Sequence, residues 1–224
     1  LTLCMIVRDE ETMIGDCIDS VKDHCAQIVV VDTGSTDKTV EIATAKGAEV
    51  YLHPWSDDFS AARNAALQYV TGNWVLVLDA DERIAPGGAD ALTRAIGKDT
   101  FDCGFLPLHN ASRLDAPFEK VLSGHLRRED PVLLPRLFRF SSSLLWEGAV
   151  HETPSAWYEA GQRAARVDAH IIHLGNVPDL REARQKAKRN LQLLQRQCQM
   201  APDDPVARTY LARELIRAGH RDLA

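Results

Sequence analysis

Residues 74–82 read Trp74-Val75-Leu76-Val77-Leu78-Asp79-Ala80-Asp81-Glu82, an apolar run that ends abruptly in carboxylates. A half-exposed strand alternates apolar and polar positions, and this run does not. It has the pattern of a strand covered on both faces. Such strands belong to parallel sheets flanked by helices, where ligands bind beyond the carboxyl ends of the strands. Asp79 and Asp81 therefore stand where a site is expected.

The same pattern repeats upstream. Leu3–Val7, Ile28–Val31 and Glu49–Leu52 read as strands, and Met13–Val21, Thr39–Ala45 and Phe59–Val70 read as the helical stretches between them. With the run that opens at Trp74, the order is β-α-β-α-β-α-β. Each earlier strand also ends in polar residues, namely Arg8-Asp9-Glu10, Asp32-Thr33-Gly34-Ser35 and His53-Pro54. In an open parallel sheet these ends converge, so together with Asp79-Ala80-Asp81 they outline one site.

Downstream, Ala89–Ile96 reads as a helix, Cys103–Leu108 and Leu133–Phe140 as shorter strands, and Ala169–Leu174 as a last strand. The irregular segments between them are rich in Arg and His. Leu180–Met200 and Val206–Ala218 predict two amphipathic helices separated by Ala201-Pro202-Asp203-Asp204-Pro205. Tyr210, Leu211, Ala212, Leu215 and Gly219 have the spacing of a tetratricopeptide-like helix pair, although one unit does not make an array. The expected organisation is an α/β domain over residues 1–177 and a helical hairpin over 178–224.

Composition narrows the function classes. The chain has 224 residues, of which 45% are hydrophobic and 26% charged, and no apolar run approaches the roughly 20 residues a membrane span needs. It is not expected to be membrane-embedded. The formal charge is -6 with dispersed Lys and Arg, which argues against a nucleic-acid partner. The cysteines, Cys4, Cys17, Cys25, Cys103 and Cys198, are odd in number and form no Cys-x-x-Cys pair. Neither a disulfide framework nor a structural zinc site is expected, and a cytoplasmic location is. Both ends fall within patterned sequence without an initiator Met, so a segment trimmed at both ends is expected. A Gly-x-Gly-x-x-Gly fingerprint and a Walker loop are both missing, which weakens dinucleotide and P-loop chemistry.

Two carboxylates one residue apart at a strand end can share a hard divalent cation, Mn²⁺ or Mg²⁺, that bridges to diphosphate oxygens. An isolated Asp-x-Asp is more often a solvated turn, but the position after a buried strand favours the metal. Asp32 directly follows four apolar residues and is placed to accept hydrogen bonds from a base or ribose. Gly34 suits a tight turn, and Ser35, Thr36 or Asp37 suits a helix cap, so part of this segment is structural.

Several pieces, taken in order, carry a family resemblance. They are Leu3-Cys4-Met5-Ile6-Val7-Arg8-Asp9-Glu10-Glu11, Val31-Asp32-Thr33-Gly34-Ser35-Thr36-Asp37, Phe59-Ser60-Ala61-Ala62-Arg63-Asn64, Gly72 through Glu82 and, more loosely, Val150-His151-Glu152. Over roughly residues 1–175 the chain resembles the inverting glycosyltransferase family 2, of the two-subdomain type called GT-A. The resemblance implies a nucleotide-binding α/β fold with a mostly parallel central sheet and a nucleotide diphosphate sugar as donor, most readily a UDP-sugar. It also implies Mn²⁺ or Mg²⁺ as cofactor. It puts Asp32 near uracil or ribose, Val7 among the nucleotide contacts, Arg63 beside base or diphosphate, and Asp79 and Asp81 around the metal. Thr33 departs from the pattern, because many members carry a second Asp there that contacts the base, and this loosens the choice of nucleotide.

Inverting transfer needs a base for the acceptor nucleophile. Glu152 stands where the resemblance places an acceptor-side acid, and His151 is its rival because imidazole titrates near neutrality. His170 and His173, three apart on a strand, point to opposite faces and do not share a metal. His173 is the expected third ligand. The branch resembled carries helical repeats after the catalytic domain and glycosylates peptides or lipopolysaccharide cores, which implies a peptide or saccharide acceptor. Self-association through the helical tail is a further expectation. The competing readings are a nucleotidyltransferase and a catalytically degenerate scaffold.

Overall fold

A computed structural model of the chain describes residues 1–177 and 186–217. Strands β1 (Thr2–Val7), β2 (Gln27–Asp32), β3 (Glu49–Leu52) and β4 (Trp74–Val77) lie parallel in the spatial order β3-β2-β1-β4. Helices α1 (Ile14–Asp19), α2 (Thr39–Ala45) and α3 (Phe59–Leu67) connect them. Both faces of the sheet are covered, which is why the strands carry no polar alternation. Leu3, Met5, Val30 and Leu76 pack with Ile14, Cys17 and Ile18 of α1. Cys4, Val29, Val31, Val75 and Val77 pack with Ala66 and Leu67 of α3.

After β4 the chain enters β5 (Glu82–Ile84), α4 (Gly88–Gly97), β6 (Cys103–Asn110), α5 (Phe118–Leu122), β7 (Val132–Arg139), α6 (Ser155–Glu159), β8 (Ala164–Arg166) and β9 (Ile171–His173). Strand β7 inserts antiparallel between β4 and β6, with Leu76 opposite Leu137. Strand β6 pairs in parallel with β8 and β9, and β5 runs antiparallel to β9 with Glu82 opposite His173. Among the described residues this is one nine-stranded, mostly parallel sheet. Strands β5 and β8 have three residues each and offered too little pattern to read.

The helical tail is present as α7 (Lys186–Met200) and α8 (Pro205–Arg217). Asp204 caps α8, its Oδ1 accepting from the amides of Val206 at 2.9 Å and Ala207 at 3.1 Å. The expected starts of the tail at 178 and of its first helix at Leu180, and the positions Ala218 and Gly219, lie outside the described residues. Leu193 and Leu194 pack with Val150, so the tail lies against the α/β part. No helix among the described residues is long and apolar enough to cross a membrane.

His170 turns away from His173, and its Nδ1 meets His109 Nε2 at 2.8 Å while its Nε2 meets Asp168 at 2.9 Å. His109 is 3% exposed, and burial, with His170 and Arg127 nearby, pushes its pKa down to about 4. The unfolded chain, with an imidazole near 6.5, then binds more protons than the folded one between these values. This contribution is present above about pH 6.5 and is lost as the pH falls through about 4, by up to roughly 3 kcal/mol. Urea unfolding of wild type should weaken over that window, and His109→Gln, which keeps a partner for His170, should flatten the slope. Parallel profiles would show that the pair does not carry the effect.

Candidate active site

The polar strand ends do meet. The Asp9 amide donates to Ser35 Oγ at 2.9 Å, Asp9 Oδ1 accepts from the Thr36 amide at 2.7 Å, and the Glu10 amide donates to Thr39 Oγ1 at 2.7 Å. These bonds tie the segment after β1 to the segment after β2. They border a cleft of about 340 Å³ lined by Val7, Thr33, Arg63, Asp79, Asp81, His151, Glu152 and His173, among others. Asp32 stands behind Thr33, outside that lining. It is 2% exposed, and its carboxylate accepts from the Gly34 and Ser35 amides, each at 3.0 Å, and from the Ser35 hydroxyl. In this arrangement Asp32 shapes the turn, with Gly34 at φ 111° supplying the left-handed backbone. Thr33 Oγ1 donates to the Val7 carbonyl at 3.0 Å, so the first two strand ends reach the cleft as one edge.

Arg63 sits one turn into α3, whose start is capped by Asp58 accepting from the Ala61 amide at 3.0 Å. Its guanidinium lies 5.4 Å from the Trp146 ring centroid; Nε donates to Glu152 Oε1 at 2.5 Å and Nη2 to Asp79 Oδ1 at 3.2 Å. Burial disfavours the Arg63 charge, yet Glu152 and Asp79 outweigh it and raise its pKa. Asp79 is held from several sides. Its amide donates to Glu82 Oε2 at 3.0 Å, and its carbonyl accepts from Cys17 Sγ at 3.4 Å. Desolvation pushes the Asp79 carboxyl up, but Arg136 and Arg63 reverse this and hold it below the usual carboxylate range. Its side chain remains 41% exposed.

Arg136, which the sequence alone did not single out, comes from β7. Its Nη2 lies 2.5 Å from Glu82 Oε1 and 3.5 Å from Asp79 Oδ2. The only trace in the sequence is a lone Arg amid apolar residues of a strand, since the pairing of β7 with β4 is a tertiary fact. From the helical tail, Arg189 and Asn190 also line the cleft, and so do Trp55 and Phe59. Arg189 and Asn190 were missed because nothing local ties α7 to the site.

The two strand-end aspartates face different neighbours. Asp79 turns to the arginines, whereas Asp81 Oδ1 lies 3.5 Å from His173 Nε2. The pairing of β5 with β9 places that histidine, and Asn110 orients it by accepting from Nδ1 at 2.7 Å, which leaves Nε2 toward Asp81. A Cβ at Gly175 would come within 2.0 Å of Asp81 Oδ2 and 2.7 Å of His173 Nε2, so only glycine leaves this corner open. Among the described residues no three His, Cys, Asp or Glu side chains form a ready-made metal cage. Asp81 and His173 pair a carboxylate with an imidazole at one edge of the cleft, a donor set whose chemistry would suit an ion such as Mn²⁺ or Mg²⁺.

Glu152 and His151 lie on the segment between Glu147 and Thr153, whose amides and carbonyls bond reciprocally at 2.9 and 3.0 Å. Glu152 faces Arg63, while the His151 ring stacks on Tyr210 at 3.9 Å between centroids.

The sequence pattern of Glycosyl transferase family 2 matches residues 2–143. The chain belongs to that family. A relative, the SPbeta prophage-derived glycosyltransferase SunS of Bacillus subtilis, is 28% identical over 96% of this chain and 49% of its own length. A TPR repeat-containing protein of Synechococcus elongatus is 54% identical over 38% of this chain and 21% of its own length. The chain thus spans about half of SunS and about a fifth of the second protein. Among solved structures, S. aureus TarS 1-349 aligns with a TM-score of 0.58 at 14% identity over 96% of this chain and 70% of that one. Glucosyl-3-phosphoglycerate synthase of Mycobacterium tuberculosis, solved with Mn²⁺, uridine diphosphate and phosphoglyceric acid, aligns with a TM-score of 0.58 at 19% identity over 86% and 77%. Both likenesses place the family 2 chain in the fold the sequence predicted.

Proposed function

We propose that this family 2 chain catalyses metal-assisted, inverting transfer of a sugar from a UDP-linked donor to a peptide or saccharide acceptor. The observation that carries this is one cleft holding both halves of such a reaction. Asp81 with His173, Arg63 with Asp79, and Glu152 on the other side of Arg63 all line it, and this reading assigns the first four to the donor and Glu152 to the acceptor. A nucleotidyl-transfer reading loses its ground with family membership, whereas a degenerate scaffold remains the alternative that turnover decides.

In this reading Val7 and Thr33 border the nucleotide, the Asp32 turn keeps that edge in place, and Arg63 offers its planar donors to diphosphate oxygens. Asp81 and His173, with Asp79 beside them, would hold the divalent ion, which neutralises charge on the diphosphate. Glu152 accepts the acceptor's proton as the nucleophile bonds to the anomeric carbon and the bond from that carbon to the diphosphate oxygen breaks on the opposite face. Trp55 and Arg189, which also line the cleft, are assigned to the acceptor in this reading.

Calorimetric titration with UDP in Mn²⁺ and in chelator tests the donor side. UDP affinity should fall about 10-fold or more on removing the metal, and by a similar factor in Asp81→Ala with the metal present, as losses around metal sites run about 10–100-fold. Equal affinity in chelator and in Mn²⁺ would remove the metal from the reading. Binding without any donor hydrolysis or transfer would favour the scaffold.

A further inference from the structure

The segment carrying His151 and Glu152 is secured unevenly. Its two ends are fastened by the Glu147–Thr153 bonds, by Asn64, which bonds Trp146 in both directions at 2.8 and 2.9 Å, and by the Phe59 amide donating to the Ala149 carbonyl at 2.9 Å. The tip has different support. Val150 packs with Leu193 and Leu194 of α7. His151 has φ 57°, a left-handed conformation rare for a side-chain-bearing residue, and its ring lies on Tyr210 of α8 at 3.9 Å with 20° between planes. Backbone held in such a region persists only where its surroundings enforce it. The chain reverses tightly at His151, and this aims the next residue, Glu152, at Arg63.

We propose that Tyr210 is a positioning residue: by stacking on His151 it holds the strained tip of the segment, and through it the Glu152 carboxylate, in the orientation that accepts the acceptor's proton. The inference rests on the proposed role of Glu152 and gives the helical tail a part in the reaction. Tyr210 meets the tip at His151 and in the cluster around Val150, so it acts on the orientation of Glu152 and leaves the donor contacts of Val7, Thr33, Asp81 and His173 as they are. The stacking face is the functional element, and the phenol hydroxyl is dispensable.

The experiment compares Tyr210→Ala and Tyr210→Phe in the full chain, by donor hydrolysis, UDP affinity and hydrogen exchange of the Glu147 and Thr153 amides. Tyr210→Ala should lower kcat roughly 10-fold, as displacement of a catalytic group by a distant change does. UDP affinity should stay within about two-fold, and exchange at the two amides should rise about 10-fold. Tyr210→Phe should match wild type in all three. In a Glu152→Gln background, Tyr210→Ala should lower kcat no further, because both changes act through one group. Unchanged exchange in Tyr210→Ala overturns the proposal whatever the turnover, and so does Tyr210→Phe behaving like Tyr210→Ala. If exchange rises while Glu152→Gln leaves turnover intact, the clamp stands and it is the role of Glu152 that fails. Where Tyr210→Ala does not fold, Tyr210→Leu, which fills the space without a ring face, carries the same comparison.

Discussion

Glu152→Gln is expected to lower kcat by roughly 10²–10⁴ while leaving UDP affinity within a few-fold. Glutamine keeps the shape of the side chain and its hydrogen bond from Arg63 Nε, and loses the ability to take a proton. A group that acts only on the nucleophile contributes in the transition state and little to donor binding, so kcat falls without a matching change in affinity. Donor hydrolysis to free sugar and UDP serves as the assay, since water replaces the acceptor. His151→Gly is the informative control, because glycine accepts the φ of 57° while removing the imidazole. If His151→Gly abolishes turnover and Glu152→Gln leaves it near wild type, the base is His151. If both leave it near wild type, the base lies elsewhere in the cleft.

The other large effect is on stability. Arg136→Met is expected to cost about 3–5 kcal/mol in urea unfolding, the usual result of leaving a buried charge without its partner. Glu82 is 1% exposed, and Arg136 Nη2 lies 2.5 Å from its Oε1. Burial pushes the Glu82 carboxyl above its ordinary range and Arg136 opposes that push. The double variant Glu82→Gln with Arg136→Met should recover much of the loss, because a neutral pair no longer strands a charge. A loss under about 1 kcal/mol in the single variant would mean that cleft water screens the pair as it does an exposed one. Because Glu82 Oε2 also accepts from the Asp79 amide at 3.0 Å, Arg136 supports the strand end that carries Asp79 as well as the fold.

The extent to which each feature was legible in the chain follows from the range of the interaction that creates it. The β-α-β order up to residue 78, the covered strands and the convergence of Arg8-Asp9-Glu10 with Asp32-Thr33-Gly34-Ser35 and Asp79-Ala80-Asp81 were determined by local pattern. A strand buried on both faces must be apolar throughout, and a parallel strand must end where its loop begins. Other features depended on pairings between segments far apart. Strand β7 had to insert beside β4 before Arg136 faced Asp79 and Glu82, and β5 had to pair with β9 before His173 faced Asp81. The division of Asp79 toward arginines and Asp81 toward a histidine, the turn that occupies the Asp32 carboxylate, and the stacking of Tyr210 on His151 likewise have no local signature. A carboxylate at a strand end looks the same in sequence whichever partner it meets. Periodicity along one segment reports which face is buried, whereas the identity of the group across a cleft is set by strand order, register and the packing of a tail that is distant in sequence.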